Sequence, residues 1–133
     1  RTAQGVPYVS YSGDNGEKWS PVKPRNIVSP CSPASVKRIP DTGHLLLVWN
    51  NNGNDQKRTP LNIAVSMNEG KKWKMMKTIE DNPDGWYCYT AVQFTGDHVL
   101  LAYCAGSQTG RAHLSTTNIA RLSLNRIYQS NTK

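Results

Sequence analysis

Apolar residues in this chain come in short runs cut by turn residues, and no stretch keeps the 3.6-residue apolar period of an amphipathic helix. Runs rich in branched and aromatic side chains at residues 6–12, 35–39, 45–49, 61–66 and 73–79 predict β-strands, and residues 118–124 predict a further one. Between them, Pro40-Asp41-Thr42-Gly43, the polar stretch from Asn50 to Pro60, and Asn68 to Gly70 predict turns and loops. Helix is at most a minor component.

The pattern repeats. Residues 12–19 read S-G-D-N-G-E-K-W and residues 66–73 read S-M-N-E-G-K-K-W, an offset of 54 positions. L-L-L-V-W-N at 45–50 aligns with V-L-L-A-Y-C at 99–104 at the same offset of 54. Two unrelated segment pairs agreeing on one period point to a repeat architecture. Four strands in a repeat of about 50 residues is the pattern of a propeller blade.

The S-x-D-x-G-x-x-W element has a local physical logic. A short acidic or amide side chain caps the backbone of its own turn, Gly supplies a left-handed dihedral, and Trp folds back as an apolar plug. Ser12, Asp14, Gly16 and Trp19 form one such element, and Ser66, Asn68, Gly70 and Trp73 a second with Asn in place of Asp. These residues are expected to be structural, Asp14 included. Both elements resemble the Asp-box, or bacterial neuraminidase repeat, which in that family joins the third and fourth strands of a blade.

Composition narrows the class without naming a function. With 37% apolar and 19% charged residues the chain reads as a globular domain, and no apolar run approaches the ~18 residues of a membrane-spanning helix. A net charge of +7 admits nucleic acid, a membrane surface or an anionic small substrate. The basic residues are scattered, and the densest group, Lys71, Lys72, Lys74 and Lys77, alternates with Trp73, Met75 and Met76 as the solvated face of a strand would. Neither nucleic acid nor membrane is therefore an expected partner. Cys31, Cys88 and Cys104 lack metal-ligand spacing and read as small buried hydrophobes. No metal and no cofactor is implied. The chain begins with Arg1, and the absence of a leader says nothing about compartment.

Strand alternation gathers one set of loops on the face opposite the Asp-boxes: the segment at Arg1, the loop of Arg58, residues 81–89, and the loop of Arg111. Arginine and tyrosine thus converge, and guanidinium forks suit a carboxylate.

Residues 32–49, then Arg58-Thr59-Pro60-Leu61, then G-W-Y-C-Y-T at 85–90, are similar to the later blades of bacterial exo-α-sialidases. The likeness runs from Arg1 to Tyr128 and implies the carboxy-terminal part of a six-bladed β-propeller, about two and a half blades of four-stranded antiparallel sheet. Divided accordingly, residues 1–30 are a half blade, 31–80 a full blade and 81–133 the last blade. Six such repeats need roughly 320 residues. In that family three arginines hold the sialic acid carboxylate, and a Tyr polarised by a Glu is the nucleophile of a retaining hydrolysis. The resemblance places Tyr89, followed by Thr90, at the nucleophile. It places Arg58, 31 residues before Tyr89, and Arg1, 11 before Ser12, at two of the carboxylate-binding arginines. Arg111 reads as a repeat echo, and Tyr87 as a core tyrosine with its hydroxyl tied down.

The family's acid/base Asp, its Glu and the first arginine would lie ahead of Arg1, so the isolated chain is expected to be inactive. Glu17 and Glu69 fall within the boxes, and Glu80 and Asp81 read as turn residues. The expected partners are a sialylated glycan and the remaining blades. A non-catalytic Asp-box propeller that binds carbohydrate or protein would share the repeats without needing both Arg58 and Tyr89.

Overall fold

A computed structural model describes residues 2–53, 55–110 and 114–129. Its regular structure is nearly all β, in three antiparallel sheets. The first sheet pairs β1 (Tyr8–Val9) with β2 (Lys23–Pro24). The middle sheet runs in order β3 (Ser35–Arg38), β4 (Leu45–Asn50), β5 (Leu61–Ser66) and β6 (Lys74–Glu80). The last sheet holds β7 (Gly85–Thr95), β8 (His98–Ser107) and β9 (Thr116–Ser123), and one helical turn, α1 (Leu124–Tyr128), follows.

The run L-L-L-V-W-N lacks polar alternation because both faces of β4 are covered. Leu46 and Val48 join Leu61, Ile63 and Val65 of β5 in a core shared with Val99, Leu101 and Tyr103 of the last sheet. Leu47 and Trp49 point the other way and pack with Ala64, Ile27 and Trp73. Trp49 fastens this second core by donating its indole N–H to the Val28 carbonyl at 3.0 Å. Alternation along one strand therefore links the middle sheet to elements on both sides.

Backbone contacts complete the joints. Ser29 N donates to Gly5 O at 2.8 Å, and a Cβ at Gly5 would lie 2.8 Å from Gly53 O, so glycine is needed where these backbones meet. Between the middle and last sheets, Ser35 Oγ donates to Thr90 O and Lys37 Nζ to Val92 O at 2.7 Å. The α1 turn returns to the middle sheet: Ile127 is fully buried, and the Tyr128 hydroxyl meets Thr42 Oγ1 at 2.9 Å and His44 Nδ1 at 3.0 Å.

The two Asp-box elements close with the same bonds. In the first, Gly16 N donates to Ser12 Oγ at 2.8 Å and Lys18 N to Asp14 Oδ1 at 2.9 Å. In the second, Gly70 N donates to Ser66 Oγ at 2.9 Å and Lys72 N to Asn68 Oδ1 at 2.8 Å. The turn needs only an acceptor oxygen, which an amide supplies as well as a carboxylate. Asn15 and Glu69 take equivalent left-handed conformations, φ 58° and 55°.

Several expectations need correction. The strand expected over 6–12 shortens to Tyr8–Val9, because its single partner β2 is equally short. Trp19 does fold back, donating its indole N–H to Gly16 O at 2.9 Å, but stays 64% exposed because no layer covers the first sheet there. Trp73, against Leu47 and Trp49, is the one that packs. Cys31 is exposed rather than buried. Lys77 leaves the solvated face: its ammonium donates to Gln129 O at 2.7 Å, beside the α1 turn.

Candidate functional site

Loops from the middle and last sheets meet at the entry to β7. The Tyr87 N–H donates to Arg58 O at 3.0 Å, Thr59 Oγ1 donates to Asn82 O at 2.8 Å, and Asn50 Nδ2 donates to Arg58 O at 2.8 Å. The Gln108 N–H, from the loop after β8, donates to Asp84 O at 2.9 Å. These bonds fix the backbone of Arg58 against the start of β7. They also place residues 51–53, 55–60, 81–86 and 105–110 at one end of the two sheets.

Gly85 opens β7 for a steric reason. A Cβ there would fall 2.3 Å from the Tyr87 ring, so the ring lies directly over the glycine. Tyr87 is thereby buried, edge-on to Tyr103 at 6.2 Å between centroids, and burial raises its pKa.

Three residues later the ladder breaks. Cys88 pairs with Cys104 and Ala91 with Ala102, so Tyr89 and Thr90 together oppose the single residue Tyr103. This β-bulge holds Tyr89 at φ 56°, an unfavourable region for a bulky side chain. The consequence is orientation: Thr90 stays buried while the Tyr89 side chain turns out and is 51% exposed.

The Arg58 guanidinium occupies the space beside it. Its central carbon lies 5.6 Å from the Tyr89 ring centroid and 5.1 Å from that of Trp86, within cation–π range of both. Burial opposes its charge, but the Cys88 and Tyr89 side chains outweigh burial and raise its pKa above the ordinary arginine value. A half-buried, permanently charged fork beside an exposed phenol is a setting for an anionic ligand.

Arg58 and Tyr89, assigned to one site by sequence, are thus neighbours drawn from different sheets. Arg1 and Arg111 lie outside the described residues. Asp14, Ser12, Ser66 and Asn68 hold turns in the Asp-box elements. Trp86 was not singled out from the sequence, although its place three residues before Tyr89 is visible there. No group of three or more His, Cys, Asp or Glu residues that could hold a metal occurs among the described residues.

Glu80 corrects another expectation. It ends β6 and accepts hydrogen bonds from the Tyr103 hydroxyl at 2.5 Å and Asn118 Nδ2 at 3.4 Å, so it is a packing acceptor and not a turn residue. Burial first, then the bond to Glu80, pushes the Tyr103 pKa far above the usual phenol value. The tied tyrosine of this region is Tyr103, which is buried and keeps its proton.

Two cavities of about 500 Å3 lie away from the Arg58–Tyr89 pair. One separates the first sheet from the middle sheet and includes Arg25 and Tyr11 in its wall. The other lies between the middle and last sheets beside Glu80 and Tyr103. We place the candidate site at the open end of the sheets, where the exposed phenol and guanidinium stand, because these cavities are seams between packed sheets.

No curated protein matches the chain at a significant level. A family model described as a BNR repeat-like domain matches residues 1–113. With its two Asp-box turns and its antiparallel sheets, the chain belongs to the BNR repeat-like domain family.

Proposed function

We propose that this chain is the carboxy-terminal part of an exo-α-sialidase-type glycoside hydrolase, its three sheets being successive blades of a six-bladed propeller. The observation that carries the reading is the Arg58 guanidinium 5.6 Å from the ring of an exposed, bulge-held Tyr89. Arg58 binds the substrate carboxylate, and Arg1 contributes a second guanidinium. Tyr89 supplies the nucleophile.

Charge explains the choice of a phenol. The substrate carries a carboxylate beside the reacting carbon, so a carboxylate nucleophile would suffer like-charge repulsion. The phenol is neutral until a base takes its proton, and that base is a Glu contributed by the upstream blades. The Tyr89 oxygen bonds to the anomeric carbon as the leaving oxygen departs and takes a proton from an acid. The group that protonated the leaving oxygen then takes a proton from water, which attacks the anomeric carbon from the face the leaving group vacated and displaces the Tyr89 oxygen. The phenol regains its proton from the Glu, and two inversions give net retention.

The test uses the full-length parent. Tyr89→Phe is expected to abolish hydrolysis of an aryl sialoside and Arg58→Ala to raise its KM. Unchanged kinetics in both variants would remove the hydrolase reading and leave an Asp-box propeller that binds glycan or protein.

A further inference from the structure

The bulge that exposes Tyr89 has a second effect on the same ladder. The β7–β8 hairpin turns through Gly96 and Asp97, with Thr95 opposite His98 and Ala91 opposite Ala102. Continued without interruption, this register would set Cys88 opposite Ala105. The bulge shifts it by one residue and sets Cys88 directly opposite Cys104. Directly paired residues on antiparallel strands project to the same face, with Cα atoms about 4.5–5.5 Å apart. That separation falls within the range a disulfide spans.

We infer that Cys88 and Cys104 are a redox-active pair that closes to a cross-strand disulfide, a covalent modification site beside the Arg58–Tyr89 pair. Both are thiols in this structure. Their surroundings divide the labour. Cys104 is partly exposed and meets the oxidant, whereas Cys88 is 1% exposed and serves as the resolving thiol.

With hydrogen peroxide as oxidant, the Cys104 sulfur attacks one peroxide oxygen, the O–O bond breaks, and protonation gives a sulfenic acid and one water. The Cys88 sulfur then attacks the Cys104 sulfur, the S–O bond breaks, and the departing hydroxide takes the Cys88 proton as a second water. Two thiols are oxidised to one disulfide, and one peroxide is reduced to two waters. Cys31 is exposed and lies on the segment between β2 and β3, so it has no place in this pair. The inference rests on strand register and is independent of the hydrolase reading.

The test is peptide mapping of the protein that carries this chain. It is treated with a small excess of hydrogen peroxide, once folded and once in guanidinium chloride, then alkylated. Both cysteines lie between Lys77 and Arg111 with no Lys or Arg between, so trypsin leaves them on one peptide. That peptide is expected to lose two hydrogens and escape alkylation, while Cys31 stays alkylatable. Chymotryptic cleavage between the two cysteines, at Tyr89 or Phe94, is expected to leave two fragments joined until a reductant is added. Joining should be about tenfold faster or more in the folded protein, because the fold holds the two sulfurs at a high effective concentration. Independent alkylation of both cysteines, a link through Cys31, or equal rates in folded and unfolded protein would overturn the pair.

Discussion

Arg58 reaches Tyr89 across the joint between two sheets: its guanidinium carbon stands 5.6 Å from the ring centroid, although one residue precedes β5 and the other belongs to β7. Neither position is left to side-chain chance. Arg58 is held through its carbonyl by Tyr87 and Asn50, and Tyr89 by the bulge opposite Tyr103.

If that pair serves as proposed, Arg58→Lys in the parent hydrolase keeps the charge and loses the planar fork. Hydrogen bonds to charged groups contribute about 1.5–3 kcal/mol, so KM for an aryl sialoside should rise roughly 10- to 100-fold with a smaller change in kcat. A KM within twofold of the parent would count against carboxylate binding by Arg58.

The Asp-boxes should respond differently to acid. The Lys18 backbone N–H, and after it the Ser12 hydroxyl, hold the Asp14 carboxyl below its usual pKa. A lowered folded-state pKa makes the carboxylate stabilising above the unfolded value, near ~3.9, and that contribution disappears as pH falls through the folded value. Asn68 has no proton to take up. In an NMR pH titration the Lys18 amide should move with an inflection below the ordinary aspartate range, and the Lys72 amide should show none. Asp14→Asn should flatten the Lys18 response, and an inflection that survives this change would refute the assignment.

Gly85→Ala places a methyl against the Tyr87 ring, whose three nearest atoms lie 2.3–2.5 Å from the new carbon. Ring and strand must both shift, at an overpacking cost of about 1–3 kcal/mol. A thermal melt should show a clear drop in Tm, while Gly43→Ala, with no atom within 4 Å of its Cβ, should show only the effect of its φ of 70°.

Tyr103 should resist ionisation. Its raised pKa means that the neutral phenol is the form the fold prefers, so stability from the Glu80 bond persists below the unfolded tyrosine value and is lost only as pH rises through the folded one. Ultraviolet titration should leave one tyrosine protonated until alkaline unfolding. Tyr103→Phe should remove that late component and cost about 1–3 kcal/mol, since among the described residues Glu80 then keeps Asn118 alone as a side-chain partner.

Expressed alone, the chain presents Trp19 at 64%, Val22 at 64% and Ile119 at 69% exposure, with β9 as an open edge. Such surfaces favour association. Size-exclusion chromatography should give aggregate or oligomer, and a monodisperse monomer would contradict this.

How much of this could be read in advance depended on whether the controlling interactions were local. The Asp-box turns were legible because all their bonds fall within five residues, and Asn68 could be recognised as standing in for Asp because it supplies the same oxygen. β4 was legible as a strand from its run of apolar residues, while the cover on both its faces came only with the structure. Trp19 misled because the same local motif places its ring without deciding whether anything packs on it. Glu80 misled because its partners, Tyr103 and Asn118, are 23 and 38 residues away. The bulge at Tyr89 was also hidden. Counting back from Gly96-Asp97 gives a regular ladder, and nothing local in C-Y-T-A reveals the extra residue.

The return of the chain through α1 gives the molecule unequal mechanical joints. The last sheet is attached to the middle one at both of its ends, by Thr59, Arg58 and Ser35 on one side and by Ile127 and Tyr128 on the other. Those two sheets must therefore move as one unit, carrying the guanidinium and the phenol together. The first sheet meets the middle one instead by close approach of Gly5 to Gly53, by the Trp49 indole on the Val28 carbonyl and by the Tyr11 hydroxyl on the Glu69 carbonyl, and so has no such second anchor through α1.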